Sequence, residues 1–438
     1  MFDRLRRVGS DSTDQQRLKR LLEDCHRLLG EAGESISQSL AERSLAGYQG
    51  LSAERQLAFF QALASDFNPD GQRVREAAAR YADSGRAADL VALVSVAEPP
   101  RQELFRRLNR VPHGCAVLVA LREKLLTHLK RHPELQAVDA DLHHLLSSWF
   151  NPGFLRLEQL SWDSPAGLLE QIIAHEAVHE IDGWADLRCR LQPDRRLFAY
   201  FHPALPREPL IFVEVAFSSE MPSAIGPLLE RKRPILEDMR AFKVATFYSI
   251  SNCQPGLKGV HLGNFLIKRV AELLQRDIPS LKIFCTLSPV PSLIGWLTSQ
   301  DAAPNMDWSA KQRERYEERR VLVKAAVVEA QSSTARLMSI AEDAVWSEHL
   351  ESLCSAYLSS TAMAEERQTD PVARFHLNNG ARLERVNPRA NLSPKGLRQS
   401  LGLMVNYLYD LEEVETNHER FVRGEATSSR PVLKKALR

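Results

Sequence analysis

Two histidines and a glutamate stand at the spacing of a metal-dependent hydrolase: His175, Glu176 and His179 in HEAVH, inside IIAHEAVHEIDGW. On a helix, residues four apart share a face. His175 and His179 would then offer two imidazoles to one zinc ion, and Glu176 would activate its water. A helix is expected here from about Pro165, with Asp163 or Ser164 as N-cap and Pro165 in the first turn. A catalytic zinc also needs a third protein ligand. Gly183 falls one place late for the extended form of the motif, and Ala185 stands where its third histidine belongs. Further on, where another class of zinc enzyme carries a glutamate, the chain reads RRLFAY, an expected strand. The expectation is therefore that His175 and His179 are structural or surface histidines in a helical segment, with no metal.

A quieter constellation follows KVATFYSISNC, in QPGLKGVHLGNFLIKRV. Gly256, Gly259 and Gly263 fall in a strand-to-helix turn, with a helix from about Asn264 or Phe265. Glycines let backbone N–H groups converge, and the open amides of a helix N-terminus attract an anion. Lys258, Lys268 and Arg269 add positive charge. The spacing is neither GxGxxG nor GxxxxGKS/T, so neither a dinucleotide fold nor a P-loop is indicated. On spacing alone, an anion site and a plain connection with glycine for tight packing both remain open.

These groups need elements to hold them. Residues 1–147 read as helix after helix; in QQRLKRLLEDCHRLLG, Leu18, Leu21, Leu22, Cys25, Leu28 and Leu29 keep helical spacing. The texture changes at Phe150-Asn151-Pro152-Gly153. Strands are expected at Arg196–Phe201 and Leu210–Phe217, as a hairpin, then at Lys243–Ile250, Leu281–Leu287 and Ala381–Val386. The strand, helix, strand order around the glycine turn predicts a crossover in a mixed sheet. From Asn305 to about Ala364 the chain is charged and helical. The class is α+β.

A chain of 438 residues can bury two or three cores. A net charge of +1 gives no bulk attraction to nucleic acid or to an acidic membrane. No apolar run is long enough to span a bilayer. Six scattered cysteines without CxxC predict reduced thiols. The start, MFDRLRRVGSDSTDQQ, has no apolar stretch, and the end, VLKKALR, carries no retention or peroxisomal address. A cytoplasmic protein is expected.

The turn from Lys258 to Asn264 resembles the pyrophosphate loop of the GCN5-related acetyltransferase fold, which binds coenzyme A between a strand and the next helix. Longer stretches are similar to the malonyl-CoA decarboxylase family. They are GLKGVHLGNFLIKRVAELLQRDIP, FCTLSPVPSLIGWL, NPGFLRLEQLSWDSPAGLLEQII, EPLIFVEVAF, PVARFHLNNGARLERVN and SPKGLRQSLGLMVNYLYDLEE, across nearly all of 150–415. The resemblance implies an all-α packing and oligomerisation domain over 1–147. It implies an acetyltransferase-like mixed-sheet catalytic domain over 148–438.

The implied reaction is a carboxy-lyase step, malonyl-CoA to acetyl-CoA and carbon dioxide, without metal or organic cofactor. Coenzyme A enters as part of the substrate. Ser288, in L-S-P, is implied as proton acceptor and hydrogen-bond donor to the carboxylate. His376, in F-H-L, is implied as proton donor, and Tyr409, in N-Y-L-Y, as a supporting group. Lys258, Gly259, Val260, His261, Leu262, Gly263 and Asn264 are implied as the coenzyme A loop. His261 departs from the family, where many relatives carry an acidic residue, which leaves open how the loop is held. Malonyl-CoA is the implied partner, with no nucleic acid and no membrane, and the family is oligomeric, commonly a tetramer.

The chemistry agrees with such a site. Loss of carbon dioxide leaves an enolate, whose charge falls on the thioester oxygen and calls for preorganised N–H donors. An amide around Ile250–Cys253 suits that role, and a histidine with a pKa near neutrality suits proton transfer. Read without the family, Ser288 before Pro289 is a strand-end turn residue, and His376 is a structural histidine on a short helix. That helix runs between Asp370-Pro371 and Asn379-Gly380. Phe375, Leu377, Met404 and Tyr407 read as core or pocket wall. The alternative function is another acyl-CoA enzyme on the same fold, an N-acyltransferase or an acyl-loading decarboxylase. A zinc hydrolase and a non-catalytic coenzyme A-binding scaffold complete the set.

Overall fold

The leucine-rich segments form the expected helices: α1 (Phe2–Leu29), α2 (Glu34–Gln49), α3 (Ala53–Ser65), α4 (Gly71–Ser84), α5 (Ala87–Ala97), α6 (Pro100–Asn109), α7 (Gly114–His128) and α8 (Gln136–Trp149). The structure, a computed structural model, describes residues 2–30, 33–230, 239–260, 262, 266–299, 308–360 and 369–437, with side chains from Thr13 onward. Leu18, Leu21, Cys25 and Leu28 of α1 are buried, while Leu22 and Leu29 pack partly covered beside them. The three- and four-residue spacing turns one stripe of α1 out of water. The same core takes in Phe59 and Phe60 of α3, Leu104 and Phe105 of α6, and Leu118, Leu121 and Leu125 of α7. Ser52 and Asp70 cap α3 and α4 by accepting from the amides of Arg55 and of Gln72 and Arg73.

After Phe150 the chain forms β1 (Arg156–Leu160), β2 (Arg195–Phe201), β3 (Ile211–Ser218), β4 (Val244–Asn252), β5 (Ile283–Thr286), β6 (Ser288–Pro289), β7 (Arg382–Asn387) and β8 (Met404–Leu408). The helices among them are α9 (Ala166–His175), α10 (Gly183–Arg190), α11 (Gly226–Leu229), α12 (Leu266–Asp277), α13 (Leu293–Thr298), α14 (Ala310–Ala330), α15 (Thr334–Glu342), α16 (Ala344–Ser359), α17 (Pro371–Asn378), α18 (Pro394–Ser400), α19 (Val414–Val422) and α20 (Arg430–Ala436). The strands make one mixed sheet in the order β1-β2-β3-β4-β5-β8-β6, with β7 also paired to β8. The expected hairpin is present, β2 against β3 from Arg195↔Ala216 to Tyr200↔Ile211. So is the crossover: β4 and β5 are parallel from Val244↔Ile283 to Phe247↔Thr286, with α12 between them in sequence. Leu266, Ile267, Val270, Ala271 and Leu274 form the buried stripe of α12.

Two expectations change. Three strands were not foreseen, and one of them, β6, is too short at two residues to show a pattern. β1 carries one buried residue, Leu160, and β8 is buried almost throughout, so neither shows the alternation of a half-buried strand. Pro165, not Asp163 or Ser164, occupies the N-cap position of α9. By contacts within the chain, the residues fall into two compact units. One unit comprises Met1–Arg156, Phe201–Leu210 and Asn252–Leu262, and the other Leu157–Tyr200, Ile211–Ser251 and Gly263–Arg438. A hairpin end and the first half of the glycine turn belong with the helices, an allegiance set by long-range packing that local pattern does not encode.

Candidate active site

Ser288 lies in the two-residue strand β6, which pairs with β8 through Ser288↔Val405. His376 lies on α17, whose ends the sequence marked. Asp370 is its N-cap, with Oδ1 accepting from the amides of Val372 and Ala373, and Asn379 its C-cap. Tyr409 follows β8 directly, its amide donating to Phe284 O of β5 at 2.8 Å. Residues far apart in sequence are thus drawn together by one strand. Ser288 Oγ is 3.0 Å from His376 Nε2, and His376 Nδ1 is 2.9 Å from the Tyr409 hydroxyl. All three are buried. The imidazole also stacks on Tyr407, with ring centroids 4.7 Å apart.

Two further residues complete the arrangement. Ser288 Oγ donates to Thr286 Oγ1 at 2.9 Å, and Thr286 Oγ1 also accepts from the Tyr407 amide at 3.2 Å. Strand alternation puts Thr286 and Ser288 on one face, so the T-x-S spacing was the available signal for Thr286. Asp370 uses its other oxygen to accept from the Ser292 amide at 3.0 Å, tying the start of α17 to the turn after β6. Burial pushes its carboxyl up to about 6, against the pull of those three amides.

The electrostatics correct one expectation. Burial pushes the His376 imidazole down to about 3, so it is neutral at pH 7 rather than poised near neutrality. Burial also holds the Tyr409 phenol well above its ordinary value, so it keeps its proton. A neutral imidazole has one N–H. The bond in which Ser288 donates to Thr286 sets the direction of the other two. Tyr409 O–H donates to Nδ1, Nε2–H donates to Ser288 Oγ, and Ser288 O–H donates to Thr286 Oγ1.

Of the expected coenzyme A loop, Lys258 and Gly259 are exposed, and Val260 and Leu262 are buried. His261, Gly263 and Asn264 lie outside the described residues. Lys258–Leu262 belong to the first unit, whereas Ser288, His376 and Tyr409 belong to the second. Lys268 is engaged by Glu415 of α19 at 2.6 Å, so its charge is already matched. The Cys253 amide donates to Leu210 O at 2.9 Å, which removes it from the candidates for the thioester oxygen.

The HEAVH segment is not a helix throughout. α9 ends at His175, and Glu176 is its C-cap with extended backbone. The Glu176 carboxyl is the reason. It is buried and accepts from the amides of Val178 and His179 and from the hydroxyls of Ser249 and Ser251 on β4. Those bonds replace the next helical turn, so His175 and His179 do not share a helix face. His179 is buried, and burial, then Arg190 and Lys395, push its imidazole down to about 3. Among the described residues, no group of three or more His, Cys, Asp or Glu side chains is disposed to hold a metal ion.

Comparison with known proteins bears on the whole chain. The family model described as the malonyl-CoA decarboxylase C-terminal domain matches residues 153–438, and that described as its N-terminal domain matches 67–150. The chain belongs to the malonyl-CoA decarboxylase family. Mitochondrial malonyl-CoA decarboxylase of Anser anser anser is 34% identical over 402 residues, covering 86% of this chain and 78% of that one. The crystal structure of malonyl-CoA decarboxylase from Rhodopseudomonas palustris matches with a TM-score of 0.84 at 42% identity, over 95% of this chain and 99% of that chain. The one from Agrobacterium vitis matches at 0.81 and 41%, again over 95% and 99%. Among the described residues, no helix is long and apolar enough to cross a membrane.

Proposed function

We propose that this protein decarboxylates malonyl-CoA to acetyl-CoA and carbon dioxide, with Ser288 and His376 at the reacting acyl group. The observation that carries the reading is the bonded chain Tyr409, His376, Ser288 in a member of this family. The C–C bond to the carboxylate breaks, carbon dioxide leaves, and the electron pair becomes the thioester enolate. Ser288 O–H turns from Thr286 to the substrate carboxylate. That negative charge beside the imidazole favours its protonated form, which burial by itself disfavours. A proton drawn from solvent is then held at His376 and passes to the α-carbon, directly or through Ser288 Oγ. Burial strengthens each of these interactions and keeps water from the enolate.

The acetyltransferase-like reading of the sheet is supported by β4, which runs on to Asn252 after its pairing with β5 stops at Phe247↔Thr286. An amide on the run that outlasts β5 is our candidate donor to the thioester oxygen. Action without a cofactor, a tetrameric assembly and a cytoplasmic setting belong to the same proposal. The six cysteines form no disulfide among the described residues, which suits a reducing compartment.

One assay tests the reaction. Protein treated with EDTA and desalted receives malonyl-CoA, with and without added zinc, and the CoA species are followed by mass spectrometry. Conversion to acetyl-CoA at equal rates in both arms is expected. Unchanged malonyl-CoA in a folded sample refutes the activity, and conversion only with zinc refutes the cofactor-free mechanism.

A further inference from the structure

We propose that Arg122, on α7 of the helical unit, is the positioning residue that aims the Gly259 amide at the substrate pyrophosphate. The inference rests on reading Lys258–Asn264 as the coenzyme A loop. It gives the helical unit a part in substrate binding besides packing and assembly. Arg122 is 2% exposed. Its Nε donates to Asp139 Oδ1 of α8 at 2.8 Å, and its Nη1 donates to the carbonyls of Gly256 and Lys258, each at 2.8 Å. A buried guanidinium needs a counter-charge and acceptors for its remaining hydrogens. Asp139 supplies the first, and the backbone of the loop supplies the second.

The consequence for the loop follows from peptide geometry. In a trans peptide, C=O and N–H point in opposite directions. Holding the Lys258 carbonyl on Arg122 therefore turns the Gly259 N–H away from α7. The neighbouring amides are engaged inside the turn: Leu257 donates to Gln254 O, Lys258 to Pro255 O, and Val260 to Leu257 O. Among the described residues, the Gly259 amide has no backbone acceptor. It sits on an exposed residue beside exposed Lys258. That pairing of a directed N–H with an exposed ammonium suits a phosphate oxygen.

The two glycines of this turn serve different ends. Gly259 has φ +82°, a region that L side chains rarely adopt. A Cβ on Gly256 would lie 2.0 Å from Val119 O of α7, so Gly256 is what lets the turn sit against that helix within reach of Arg122.

The test compares two thioesters in Arg122→Gln and wild-type protein: malonyl-CoA, and malonyl-pantetheine, which has no pyrophosphate. In the variant, KM for malonyl-CoA is expected to rise about tenfold or more with kcat within about twofold, as expected for lost binding alone. The kcat/KM for malonyl-pantetheine should stay at the wild-type value, which a general loss of structure would not allow. Asp139→Asn, which keeps the side-chain volume and loosens Arg122, should show a smaller loss of the same selectivity. It carries the test where Arg122→Gln does not fold. Equal losses on both thioesters, or no loss on either, overturn the assignment. Failure of wild-type protein to decarboxylate either thioester overturns instead the activity on which the inference rests.

Discussion

Replacing Tyr409 with Phe removes one oxygen from a buried chain of hydrogen bonds and little else. The Tyr409 ring stands edge-on to His376 at 75°, and a phenyl ring can keep that packing. What is lost is the 2.9 Å bond to Nδ1. The imidazole is fully enclosed, so Nδ1 finds no water in its place. Leaving a buried acceptor unpaired costs about 1–3 kcal/mol. The neutral ring also loses the donor that fixes its tautomer. A proton moved to Nδ1 would make Nε2 an acceptor and pull Ser288 O–H away from Thr286. In the proposed mechanism both effects bear on the step that uses Nε2 and not on coenzyme A binding. For Tyr409→Phe, kcat is therefore expected to fall about 10- to 100-fold, with KM within about threefold. Initial rates across malonyl-CoA concentrations, with an unfolding curve as a check on the fold, measure this. A folded variant whose kcat stays within about twofold of wild type would refute the one-directional chain from Tyr409 through His376 to Ser288.

Ser288→Ala removes the hydroxyl proposed to meet the substrate carboxylate and is expected to lower kcat about 10²- to 10⁴-fold. Calorimetric titration with CoA should show unchanged affinity, and a parallel loss of CoA binding would move Ser288 out of the reacting centre. The depressed pKa of His376 also makes stability pH-dependent. Between its ordinary value of 6.5 and about 3 the unfolded chain binds the extra proton, so stability is lost as pH falls through that window. The loss is about 2 kcal/mol at pH 5. His376→Gln should remove that component when urea midpoints at pH 7.5 and pH 5 are compared with wild type. The difference isolates the imidazole from Glu214 and Asp370, whose raised carboxyls act in the opposite direction. Equal slopes in the two proteins would contradict it. Glu176→Ala strands four donors and should destabilise the protein by about 3 kcal/mol or more, with no recovery on adding zinc. A change below about 0.5 kcal/mol in denaturant unfolding would contradict its role as the clamp on β4.

Several parts of the site are legible in the sequence. Asp370-Pro371 and Asn379-Gly380 bracketed the helix of His376 because capping is local chemistry between adjacent residues. The β4, α12, β5 order was legible because hydrophobic period switches from two to helical spacing and back. β8 was not, although it is the strand that brings Ser288, His376 and Tyr409 together. It is covered on both faces, and MVNYL then shows neither period. HEAVH misled for a related reason. Its helical spacing is a local signal, but Glu176 is claimed by Ser249 and Ser251, more than seventy residues on.

Residue types and spacing by themselves determined the two kinds of element, the α+β class and the glycine turn, and the family motifs singled out Ser288, His376 and Tyr409. Each depends on groups a few residues apart or on motifs that stay contiguous. Tertiary structure alone decided the protonation of His376, the direction of its hydrogen bonds, the part played by Thr286, and the hold of Arg122 on the loop. Those depend on burial and on partners brought near by folding, and neither distance nor dielectric is written in local sequence.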